Sequence, residues 1–109
     1  LIGIATGLSF EGYRPFVASF GSFITGKHSE IRNTISYNKA SVVIVGTHCG
    51  LIGSDGATQS ALQDIAIMTS MPFFEVFQPC SPLDTEEIIE GISSLELRDT
   101  NLYCASIFK

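Results

Sequence analysis

One imidazole, one carboxylate and one amide are gathered in the stretch Gly46-Thr-His-Cys-Gly-Leu-Ile-Gly-Ser-Asp-Gly-Ala-Thr-Gln59, as His48, Asp55 and Gln59. An imidazole donates, accepts or moves a proton near neutral pH, and a carboxylate holds a hydroxyl. Gly50, Gly53 and Gly56 allow tight turns and close approach of backbone to a ligand. Read from spacing alone, a plainer account also stands: the glycines make a turn, Asp55 caps it, and His48 is a satisfied polar residue at a strand end. The stretch is not a phosphate loop, since it lacks both GxGxxG and GxxxxGK[ST]. Cys49 adjoins His48, but neighbours in extended chain point to opposite sides, so a thiolate–imidazole pair is not expected.

Aromatic residues form a second group. Phe16, Phe20 and Phe23 cluster around one short segment. Core packing is the ordinary reading; a platform for a planar ring is the other, because face contact supplies geometry as well as burial. His28, beside Lys27 and Glu30, reads as solvated surface.

These residues need elements to position them. Leu1–Phe10 has the small-residue spacing of a helix packed closely on a sheet, with Gly12 as its stop and Pro15 as a boundary. Phe16–Phe20 reads as a strand, and Ser22 to Tyr37 as a helix with Ile24, Ile31 and Ile35 inward. Val42–Val45 is a continuous apolar run, which suits a parallel strand buried on both faces. A helix from Thr58 to Ser70 puts Ala61, Leu62, Ile65, Ala66 and Met68 on one stripe, and Pro72 ends it. Phe74–Gln78 is a strand. Asp84-Thr-Glu-Glu87 has a capping-box pattern opening a helix that buries Ile88, Ile89, Ile92 and Leu95, and Asn101–Phe108 is a last strand. Alternating strands and helices predict an α/β fold with a mostly parallel sheet flanked by helices. In such sheets ligands bind outside the carboxyl ends of the strands, where the His48 stretch falls.

Composition narrows the function. At 109 residues the chain is one domain, spanning 1–109, and with 45% hydrophobic residues it is not disordered. Only 16% of residues are charged, which predicts part of the surface covered by a partner or a further domain. A net charge of −5 with six scattered Lys and Arg argues against nucleic acid. No apolar run reaches the roughly 18 residues of a membrane span, and no signal peptide is visible. Three widely spaced cysteines, Cys49, Cys80 and Cys104, read as thiols of a reducing cytosol. Both ends look cut, so the chain reads as incomplete at each.

Several motifs, in order, resemble the middle, pyrimidine-binding domain of transketolases. They are Gly3-Ile-Ala-Thr-Gly-Leu8, Pro15-Phe-Val-Ala-Ser-Phe-Gly-Ser-Phe23, Glu30-Ile-Arg-Asn-Thr-Ile35, Gly46-Thr-His-Cys-Gly50, Gly53-Ser-Asp-Gly-Ala-Thr-Gln59 and Gln63-Asp-Ile-Ala-Ile-Met68. The resemblance covers nearly the whole chain. It implies that Phe20 and Phe23 form the aromatic pocket for the aminopyrimidine of thiamine diphosphate. It implies that His48 contacts the bound sugar near the reacting carbons and is the catalytic residue here, and that Asp55 bonds a hydroxyl of the donor sugar. Gln59 matches a position, histidine or glutamine in the family, near cofactor and substrate; otherwise it caps the helix expected near Thr58.

The same resemblance implies transfer of a two-carbon ketol unit from a ketose to an aldose, with sugars or sugar phosphates as substrates. The family's pyrimidine-binding glutamate would precede Leu1, and Mg²⁺ and the diphosphate belong to a different domain or subunit, so no metal ligand is expected in this chain. A cytoplasmic homodimer, or a heterotetramer of the type split across two polypeptides, is implied. Deoxyxylulose-phosphate synthases share the aromatic pair and the Asp-Gly turn, and the His48–Asp55 spacing has their shorter length. A non-catalytic relative that keeps the fold for binding is the remaining alternative.

Overall fold

The computed structural model describes residues 1–52 and 54–94 and the backbone of 101–106. Four parallel strands form one sheet in the order β1-β2-β4-β3, with β1 at Phe16–Phe20, β2 at Val43–Thr47, β3 at Phe74–Phe77 and β4 at Asn101–Ser106. The α/β class and the parallel sheet expected from the alternating pattern are thus observed. Along β2 the side chains alternate between two covered faces. Ile44 joins Val17, Ile31, Ile35 and Met68 in the larger core, whereas Val43 packs with Ile92 on the other side. Burial on both faces is why this strand reads as an unbroken apolar run.

Helix α1 (Ile2–Phe10) ends as expected at Gly12. Gly12 takes φ +87°, its N–H donates to the Ser9 carbonyl at 3.1 Å, and the Tyr13 N–H donates to that of Leu8 at 3.1 Å. This double closure is a glycine C-terminal motif that answers otherwise orphaned carbonyls. The packing face differs from expectation. Ala5 and Thr6 are buried, while a Cβ at Gly3 or Gly7 would meet nothing within 4 Å. The small residues therefore face outward, beside the exposed Ile4 and Leu8.

The long helix expected over Ser22–Tyr37 is broken. It resolves into α2 (Gly21–Thr25), α3 (His28–Ile31) and a π turn at Arg32–Ser36. Thr25 bonds back to the carbonyls of Gly21 and Ser22, and Gly26, a weak helix former, follows at the interruption. Ile24, Ile31 and Ile35 still point inward, and His28 is exposed.

A second correction falls after the glycine-rich stretch. The helix expected from Thr58 is instead a 3-10 turn at Ala57–Gln59, an extended link, and a short α4 (Asp64–Thr69). The cause is a backbone pairing: Gly50 and Ala61 form an isolated antiparallel bridge, with the Gly50 N–H on the Ala61 carbonyl at 2.9 Å. Backbone committed to that bridge cannot be helical. The buried positions are accordingly Ala61, Asp64 and Met68, while Leu62, Ile65 and Ala66 are exposed.

Helix α5 (Pro82–Ser94) begins two residues before Asp84. Ser81 accepts from the Asp84 N–H at 3.1 Å, and the Asp84 carboxylate accepts from the Cys80 N–H at 3.0 Å. Pro82 suits the first helical position because its missing N–H is not needed there. Ile92 is buried, Ile88 packs beside it, and Leu95, like Phe108, lies outside the described residues. Arg14 secures this helix from the far side by donating from Nη1 to the Ile92 carbonyl. Cys49 is buried and Cys80 exposed. No helix among the described residues is long and apolar enough to cross a membrane.

Candidate functional site

The register of β1 and β2 builds the site. Phe20 and Thr47 are partners at the carboxyl ends of adjacent strands, so the residue after Thr47 emerges beside Phe20. That residue is His48, whose ring lies on Phe20 with centroids 4.2 Å apart and planes 18° from parallel. Three residues beyond Phe20, on the first turn of α2, Phe23 also stacks on Phe20, at 5.7 Å and 16°. A strand end followed at once by a helix thus sets three rings in a row: Phe23, Phe20, His48. Phe23 is 55% exposed, which a core aromatic would not be, and Phe16 is also exposed because β1 is an edge strand.

His48 pays for this placement in backbone strain, with φ +52°. A left-handed residue with a Cβ costs on the order of 1–2 kcal/mol, so its surroundings must hold it there. Its Nδ1 lies 3.1 Å from Thr47 Oγ1. Behind it, the Cys49 thiol turns inward, 3.4 Å from the Gly46 carbonyl. The Cys49 side chain is buried, whereas His48 is partly exposed. The thiol occupies space that only glycine leaves open: a Cβ on Gly21 would sit 2.5 Å from Cys49 Sγ and 3.1 Å from Ala61 Cβ.

Gly21→Ala is therefore expected to destabilise the chain by about 1–3 kcal/mol, the usual cost of overpacking. Adding Cys49→Ala should recover part of that loss, because the two changes share one contact. Urea unfolding of the parent, both single variants and the double variant reads this coupling. Additive effects would mean that the thiol is not the obstacle.

Gln59 ends the 3-10 turn, which packs against α2. It does not cap a helix, since α4 starts at Asp64 behind Gln63. Its Oε1 is buried and finds no hydrogen-bond partner among the described residues, and neither does Ser22 Oγ on α2. Buried acceptors without partners are rare and costly, and they mark places where a ligand or water completes the bonding. Asp55 is exposed, on the turn before Gly56, and no described residue bonds its carboxylate.

Beside Phe23 a largely apolar cavity of about 230 Å³ opens between the start of α1, β1 and α2–α3, lined by Ile2, Val17, Ser19, Phe23, Lys27 and Glu30 among others. An apolar hollow with few polar groups and an aromatic wall accommodates a planar heterocycle. Two residues near this site carried no signal of their own in the sequence. Ser22 lies between the two phenylalanines, and Thr47 could have been noticed only as a hydroxyl preceding the histidine.

Comparison with known proteins bears on all of these features. Residues 1–99 match the family model for the transketolase pyrimidine binding domain. A Methanocaldococcus jannaschii chain assigned as a transketolase C-terminal section is 40% identical over 95 residues, covering 85% of this chain and 30% of that one. Mouse transketolase is 34% identical over 92 residues, 83% of this chain and 15% of the enzyme. Among solved structures, a split-gene transketolase in the form of an inactive beta4 tetramer superimposes with a TM-score of 0.81 at 35% identity, over 95% of this chain and 32% of that one. The chain thus spans about a third or less of the length of the relatives it matches. With the motifs in order, the parallel sheet and the ring stack at its carboxyl edge, the chain belongs to the transketolase family as a pyrimidine-binding domain.

Proposed function

We propose that this chain supplies the pyrimidine-binding half of a thiamine-diphosphate-dependent transketolase, which moves a two-carbon ketol unit from a ketose to an aldose. The observation that carries the reading is the Phe23–Phe20–His48 stack beside an open apolar cavity, in a chain of this family. The residues present fit the cofactor: an exposed aromatic face for its ring and an unpartnered buried Gln59 Oε1 for a donor nearby. When bound, thiamine diphosphate supplies the electron sink for breaking and forming the carbon–carbon bond.

The protein's own residues then do the following. Phe20 and Phe23 hold the aminopyrimidine by face contact and exclude water from it. His48, fixed on Phe20, meets the sugar near its reacting carbons and exchanges a proton with a hydroxyl there. Asp55, free to approach on its turn, accepts from a hydroxyl of the donor sugar. Gln59 accepts or donates hydrogen bonds without titrating and orients the ligand. Mg²⁺ and the diphosphate are held by a different domain or subunit, and the substrates are sugars or sugar phosphates. A cytoplasmic homodimer or heterotetramer is the assembly proposed; the solved split-gene relative, a tetramer of one chain type, lends support to a two-polypeptide arrangement. Deoxyxylulose-phosphate synthesis, suggested by the loop length alone, is not favoured, because the relatives matched here are transketolases.

The test is reconstitution. The chain is combined with a diphosphate-binding subunit, thiamine diphosphate and Mg²⁺, and ketol transfer from a ketose phosphate to an aldose phosphate is followed. Transfer that requires both polypeptides is expected. No transfer by a folded, associated pair across a panel of ketose and aldose phosphates would overturn the reading.

A further inference from the structure

We propose that Thr47 is a positioning residue that fixes the tautomer of His48, so that Nε2 is the unprotonated ring nitrogen and His48 meets a substrate hydroxyl as an acceptor. This rests on the reading of His48 as the residue that contacts the sugar. The argument starts from proton counting at one oxygen. Thr47 Oγ1 lies 3.3 Å from the Ser19 carbonyl across the parallel strand pair and 3.1 Å from His48 Nδ1. A carbonyl only accepts, so the one arrangement in which Thr47 Oγ1 bonds both neighbours at once directs its single hydroxyl proton to Ser19. What remains on Oγ1 is lone pairs, and these bond Nδ1 only if Nδ1 carries the proton. A neutral imidazole has one N–H, so Nε2 is bare. Among the described residues nothing bonds Nε2, which leaves it available to a ligand.

The backbone explains why neighbours can meet at all. Adjacent side chains on an extended strand point to opposite faces. The left-handed φ of +52° at His48 turns its ring back towards the Thr47 hydroxyl while laying it on Phe20. Ser19, Thr47 and His48 thus form a short relay of direction: carbonyl sets hydroxyl, hydroxyl sets imidazole. Thr47 touches no substrate in this account; it acts through the ring.

The test is a spectroscopic one on the whole chain, labelled with ¹⁵N and measured at about pH 8, where an ordinary imidazole is neutral. Of the chain's two histidines, His28 has its Nε2 3.4 Å from Ser29 Oγ, so a histidine in a short unstructured peptide serves as the reference for an unconstrained ring. Long-range ¹H–¹⁵N spectra are expected to show His48 with a protonated Nδ1 and a bare Nε2. Thr47→Val, which keeps the branched shape, should move His48 to the tautomer mixture of the free peptide, and Thr47→Ser should keep it like the parent. In the reconstituted enzyme Thr47→Val should lower kcat roughly 2- to 10-fold, the scale of one neutral hydrogen bond, with Thr47→Ser close to the parent. A protonated Nε2 in the parent spectrum would overturn the proposal even if the valine variant failed to fold. So would unchanged His48 shifts in a folded Thr47→Val. Absence of transfer by the reconstituted parent would strike the functional reading and leave the tautomer result standing.

Discussion

His48→Ala is expected to lower kcat/KM of the reconstituted transferase by roughly 100-fold or more, the scale on which a positioned proton-transfer group acts. Gln59→Ala should cost far less, about 2- to 10-fold, because it removes one neutral hydrogen bond worth roughly 0.5–1.5 kcal/mol. The difference follows from geometry. His48 is held by a ring stack on Phe20 and by Thr47, in a strained backbone conformation that the fold maintains at a cost. Gln59 offers a buried Oε1 but cannot change its charge. The companion variant Gln59→His should stay active and add a titration between about pH 5 and 8 to the kcat/KM profile. Steady-state kinetics across that range decide the matter. Equal losses for His48→Ala and Gln59→Ala, or a profile for Gln59→His superimposable on the parent, would remove these roles.

Asp55→Ala should discriminate between substrates rather than weaken the fold. The side chain is exposed and bonds no described residue, so stability should change by no more than about 0.5 kcal/mol. A carboxylate that accepts from a sugar hydroxyl contributes roughly 1.5–3 kcal/mol, which corresponds to a loss of about 10- to 100-fold in kcat/KM for hydroxylated donors. Donors lacking that hydroxyl should be nearly indifferent to the change, and cofactor affinity should hold. If both donor types lose activity equally, Asp55 merely shapes its turn.

The sequence displayed the parts of this molecule that depend on local periodicity and missed those that depend on distant backbone. Strand β1, the two-faced burial of β2 and the glycine stop after α1 follow from side-chain pattern and from one residue's conformational freedom, and all are found as read. The helix at Thr58 was misread because its amphipathic stripe is present in the sequence, yet the Gly50–Ala61 bridge claims the backbone first. That pairing joins residues whose side chains announce nothing. For the same reason Gln59 looked like a possible helix cap, and its buried, unpartnered oxygen emerged only from the fold. The α1 glycines resemble a packing face but are open, since Ala5 and Thr6 are the buried residues and their side chains fill the contact.

The candidate site was legible in outline. Phe20, Phe23 and His48 were singled out separately, and the Phe20–Thr47 register brings them into one stack. The left-handed conformation of His48 is not foreseeable, because nothing in the residue types around it demands it.

The most direct measurement of the central claim is a calorimetric titration of thiamine diphosphate with Mg²⁺ into this chain alone, into a diphosphate-binding subunit alone, and into the two together. Saturable heat is expected only from the pair, because the proposal assigns the ring's aromatic wall to this chain and the metal and phosphate ligands to the other component. Replacing Phe20 and Phe23 together by alanine should abolish or strongly weaken that heat. Micromolar binding by this chain alone, or undiminished binding by a pair lacking both phenylalanine rings, would contradict the account.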